Sequence, residues 1–180
     1  MKVLSFIFFG VLFLLPRTGS ADLDHCLNPE YPYSDYCDES IKRADPVLLF
    51  NYGMDLGNRN LFVSARLICE SGAKGFSDGM NECMSKAKKG NSAAQHYLAL
   101  LYIRGAGVLQ DYEAAYMWSN IAASKGHSPA IEVREYARDK MGSDQLDSAS
   151  DRSKRCLDSQ YQDCEKQPLS WFGKIKNKLR

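Results

Sequence analysis

The residues of this 180-residue chain that can carry chemistry are a set of serines, three histidines and six cysteines. Gly75-Phe76-Ser77-Asp78-Gly79 has the G-x-S-x-G spacing of a nucleophile elbow, which works when a strained strand-to-helix turn exposes the serine. Here it joins two predicted helices and no strand pattern precedes it, so it reads as a helix connection. Ser71-Gly72-Ala73-Lys74 and Ser85-Lys86-Ala87-Lys88 have the S-x-x-K spacing, in which the lysine lowers the proton affinity of the serine. No S-D-N or K-T-G partner follows, and two matches in one lysine-rich stretch read as coincidence. The carboxylates offer no pair for general acid–base work. Asp111 reads as a helix cap, and Glu113 and Glu135 fall on predicted exposed faces. His96 lies between core positions of a helix and reads as a surface or groove residue. His25, His96 and His127 are scattered and no CxxC pair occurs, so neither a metal nor a cofactor is expected.

The elements that position these residues follow from apolar spacing. From Ser92 to Arg104, Ala94, Tyr97, Leu98, Leu101 and Tyr102 recur at three- and four-residue steps and line one helical face. Gly105 and Gly107 break that helix, because glycine supplies the left-handed geometry of a helix stop. Asp111 is a natural N-cap for the next helix, which runs to about Lys125 with Ala114, Ala115, Trp118, Ile121 and Ala122 as its buried stripe. Gly126 ends it, and Ser128-Pro129 opens a third helix as N-cap and first helical residue. At this spacing Tyr97, Tyr102 and Trp118 read as core, not as a ligand box. The small residues Ala114, Ala115, Ala122 and Ala123 let neighbouring helices approach closely. Gly90 and Gly126 are 36 residues apart, within the periods of helical arrays. Stepping back by that period predicts helices over Asn60–Cys69 and Phe76–Lys89, a degenerate repeat in which Glu82 stands for Trp118 and Gly79 for Ala115. Asp45 to Leu56 reads as a further helix, with Pro46 in its first turn.

The stretch resembles the SEL-1-like repeat, a relative of the tetratricopeptide repeat. The resemblance rests on Ala94, Leu98, Leu100, Tyr102, Gly105, Gly107-Val108, Gln110-Asp111, Ala115, Trp118, Ala122-Ala123, Gly126 and Ala130. Ala99 departs from it, standing where the family usually has glycine. Ala137–Cys164 is similar to the C-terminal cap of many bacterial members: Arg138-Asp139 and Met141 precede a Ser143-capped helix, Asp144 to Cys156, that continues to Cys164. The resemblance implies an all-α fold, a short α-solenoid of antiparallel helix hairpins. It also implies a non-enzymatic scaffold or adaptor that binds a protein or peptide partner. Penicillin binding or hydrolysis is attributed to some cysteine-rich members, which makes a β-lactam-binding or β-lactam-hydrolysing enzyme the alternative.

Residues 1–21 read as a secretory signal peptide: Lys2, the apolar run Val3–Leu15, and the small-residue site Gly19-Ser20-Ala21. The run is shorter than the roughly 20 residues of a comfortable membrane span. No cysteine follows the cleavage point, which argues against a lipoprotein. The mature chain then has about 159 residues, enough for one domain burying about 68–70% of its unfolded surface. It carries 21 basic against 22 acidic residues, a balance that argues against nucleic-acid binding. An even cysteine count in an exported chain reads as disulfides. Fifteen pairings are open for six cysteines. The local one, Cys26–Cys37, Cys69–Cys83 and Cys156–Cys164, is preferred because each pair lies within one local unit. Such bridges compensate a repeat array with one clear repeat (91–126) and one degenerate repeat (about 56–90). Residues 22–44 read as an irregular segment pinned by Cys26–Cys37, either a cap or a ligand-facing arm. The helical repeat domain spans 45–164, its capping helices 128–164. In the tail, 165–180, Leu169, Phe172, Ile175 and Leu179 share a helical face ringed by Lys174, Lys176, Lys178 and Arg180. A frayed tail, or a helix packing Trp171 on the last hairpin, is the preferred reading, with contact of residues 169–180 with an anionic membrane surface left open. The chain is expected in the periplasm or secreted.

Overall fold

The computed structural model describes Cys26 and residues 35–164; the proposed signal peptide and the basic tail lie outside these. All regular structure among the described residues is helical: α1 Asp35–Arg43, α2 Pro46–Leu56, α3 Leu61–Ala73, α4 Ser77–Lys88, α5 Ser92–Arg104, α6 Tyr112–Ser124, α7 Pro129–Arg138 and α8 Ser143–Asp158. The chain divides into two units after Ala44. The first contains α1, so residues 35–43 of the segment read as irregular form a helix, bridged through Cys37 to Cys26.

The second unit owes its helix boundaries to side-chain caps. The carboxylate of Asp45 accepts the Val47 and Leu48 amides at the start of α2. Asn60, Asn91 and Asp111 do the same for α3, α5 and α6 through Val63, Ala94 and Ala114. Each cap satisfies an amide that the first helical turn leaves without a partner. Gly105 ends α5 in the left-handed region at φ 65°. Two cap assignments differ from the sequence reading. Ser128 precedes α7, but its own backbone is already helical and its hydroxyl makes no cap bond. Gly142, not Ser143, caps α8, and Gln145 Oε1 accepts the Gly142 amide at 3.2 Å. Nor does α8 continue to Cys164. It stops at Asp158, and Gln160 and Tyr161 turn the chain with positive φ before Cys164 bonds back to Cys156.

Each helix of α2 to α8, apart from the α7–α8 junction, packs on its successor; α3 also packs on α5, α5 on α7, and α6 on α8. The core gathers Ile68, Leu98, Leu101, Met117, Trp118 and Ile121, with the Cys69–Cys83 bridge among them. Burying a side chain of this size contributes about 1.5–3 kcal/mol. Small residues set the spacing where helices cross. A Cβ at Gly53 would stand 2.6 Å from Ile68 Cγ1, and one at Gly72 2.6 Å from the Met80 amide nitrogen. Gly107, at φ 71°, leans on α3 with only 2.6 Å between its would-be Cβ and the Gly72 carbonyl oxygen. The glycine loop is therefore a packing surface as well as a turn. Gln95 is fully buried on α5, and its Nε2 donates to the Ala87 carbonyl at 2.9 Å, tying the end of α4 to the start of α5.

Candidate functional site

Ser71 is fully buried on α3 and its Oγ donates to the Ile68 carbonyl at 2.6 Å. The same oxygen fills the place a side chain at Gly79 would need. Gly79 and Ser71 are thus the two halves of the α3–α4 contact, a few residues from the Cys69–Cys83 bridge. Gly75 turns the chain with φ 92°, Phe76 holds the N-cap position, and Ser77 is the first, exposed residue of α4. Helix α3, not a strand, leads into it. Ser85 is half-buried on α4.

Ala94, Leu98, Ala115, Trp118, Ala122 and Ala130 are all buried. Ala123 is half-buried. Gly107 and Gly126 have positive φ, as Gly105 has. Tyr102 packs against the core from its edge. It is half-buried and forms one wall of a pocket of about 570 Å³ over the glycine loop. The remaining wall is Val108 to Glu113 together with Gln145 of α8. Glu113, expected on an exposed face, is also half-buried here and accepts the Ser148 hydroxyl at 3.4 Å. Glu135 is half-buried too, held by Arg134 and Arg138. Leu109 stands 90% exposed at the pocket lip. Arg152 is buried, with its Nε donating to the Cys164 carbonyl at 2.9 Å. Burial pulls its pKa down, while Asp111, Tyr102 and Glu113 act to hold the charge on.

A second cluster was not anticipated. His96, expected at the surface, is only 7% exposed. Its ring lies 5.1 Å, centroid to centroid, from both His127 and Tyr97. Phe62 of α3 completes a set of four rings, 5.2 Å from Tyr97 and 5.9 Å from His127. The turn between α6 and α7 delivers His127 onto the first turns of α5. Neither His96 Nδ1 nor His127 Nε2, both buried, has a hydrogen-bond partner. Burial, and secondarily the neighbouring His127, lowers the His96 pKa from the ordinary 6.5 to about 4. Burial lowers that of His127 as well. Two of the three histidines read as scattered are therefore packed together. The signal available in the sequence was the 36-residue period, which places His127 opposite Asn91, and hence at the start of the helix following the α5–α6 hairpin.

No known family model matches the chain, and no curated protein or solved structure does.

Proposed function

We propose that this chain is an exported SEL-1-like repeat module, a stack of helix hairpins that holds a peptide or protein partner in the cell envelope or beyond. The observation that carries the reading is the pocket over the glycine loop. Its floor and walls combine aromatic surface (Tyr102 and Tyr112), an exposed Leu109, and the carboxylates of Asp111 and Glu113. Such a site suits a partner segment that offers an apolar side chain, by apolar anchoring plus side-chain hydrogen bonds. Three further features support it. Contacts run between neighbouring helices and between alternate ones, as stacked hairpins require. The fifteen repeat positions lie in register across the glycine loop. Three disulfides suit an oxidising compartment, and no described helix is long and apolar enough to cross a membrane.

The test is retention of a cross-linked partner from envelope extract by the disulfide-bonded protein. Leu109→Asp should abolish retention without changing thermal stability, since Leu109 is 90% exposed. Retention unaffected by Leu109→Asp would move the binding surface elsewhere. The alternative, a β-lactam-binding enzyme acting through an S-x-x-K serine, predicts covalent labelling by a fluorescent penicillin that Ser85→Ala or Ser71→Ala removes. Labelling of that kind would displace the adaptor reading.

A further inference from the structure

The two unpartnered imidazole nitrogens lie in one cluster, and a buried polar atom without a partner calls for an explanation such as a bound ion. The ring spacing is compatible with one. A zinc-type ion holds histidine nitrogen at about 2.0–2.1 Å, which puts each ring centroid about 3.2 Å from the metal. Two such rings at a tetrahedral angle have centroids about 5.2 Å apart. The His96 and His127 centroids are 5.1 Å apart, with their planes inclined by 57°.

We propose that His96 and His127 form a two-histidine site for a divalent transition-metal ion of the zinc, nickel or copper class. Imidazole suits these ions, whereas the carboxylate and carbonyl oxygens preferred by magnesium and calcium are not part of the cluster. Phe62 and Tyr97 wall the site with apolar surface, which limits water access and strengthens the metal–nitrogen interaction. All six cysteines are bridged, so thiolates do not compete for a soft ion. No group of three or more histidine, cysteine, aspartate or glutamate residues gathers around a metal position among the described residues. The pair therefore offers two protein ligands.

The experiment titrates the metal-free, disulfide-bonded protein with cobalt(II) and zinc chloride. Cobalt d–d absorption and histidine nitrogen spectra are the readouts. One ion per chain should bind, with the nitrogens of both His96 and His127 shifting together. His127→Gln should weaken binding at least about tenfold, while His25→Gln leaves it unchanged. His127 is the variant of choice because its half-buried ring is less needed for folding than that of His96. The wild-type nitrogen shifts test His96 without any substitution. No saturable binding up to about 1 mM metal, affinity undiminished by His127→Gln, or shifts confined to His25 would each overturn the site.

Discussion

Burial sets the acid–base behaviour of His96, and this gives the fold a pH dependence of known sign. The unfolded chain takes up the His96 proton as pH falls through the ordinary value of 6.5, whereas the folded chain resists until about 4. A group whose folded pKa is lowered stabilises the fold most above its unfolded pKa, and that contribution drains away as pH drops towards the folded value. The melting temperature of the metal-free protein should therefore decline between about pH 6.5 and 4, on top of any general acid effect, and His96→Gln should flatten that limb. A His96→Gln profile parallel to the wild type would show that this imidazole does not govern the transition. Burial is the first cause of the His96 shift, and charge repulsion from the neighbouring His127 is the second. Sequence alone could not place this pair. His96 falls between apolar positions on α5, and only the return of the chain through α6 brings His127 onto it.

At the scale of elements, caps decide where helices begin, and they differ in strength. Asp111 accepts the Ala114 amide at 3.0 Å at the start of α6. Asp111→Ala should destabilise the protein by about 1 kcal/mol. Ser128 has the residue type of a cap without its bond, so Ser128→Ala should stay within about 0.5 kcal/mol. Denaturant melts of the two variants side by side check the contrast, and equal losses would remove the cap bond as the cause. This pair also shows what could be read beforehand. The limits of α5 are those predicted, and α2 to α4 and α6 begin and end within a few residues of prediction, because cap residues and glycine stops write boundaries into the chain. The start of α8 was misassigned because its cap bond is made by Gln145 reaching back, which the Ser143 side chain only imitates in sequence. Helix α1 was missed because Asp35–Arg43, DYCDESIKR, has too few apolar residues to show a helical stripe.

For the whole molecule, covalent links supplement a modest core. The Cys69–Cys83 bridge closes a loop of 14 residues between α3 and α4, and its loss through a Cys69→Ser/Cys83→Ser double substitution should lower stability by about 3 kcal/mol, read from denaturant midpoints at constant slope. A change well under 1 kcal/mol would mean that the Ser71–Gly79 contact holds the two helices unaided. The helical class and the local placement of the cysteines were legible because both are encoded over short stretches. The pocket was not, because its walls join Tyr102, the glycine loop and Gln145, which periodicity treats as separate segments.

Helices that touch only their immediate neighbours can fray singly from an end, with each opening a separate small event. The ring of Phe62 on α3 reaches across α5 to His127, at the root of α7. Detaching α7 therefore also strips cover from α3, four places earlier in the stack. That shared cost couples the opening of α3 to that of α7, and amide exchange in their first turns should slow down and speed up together.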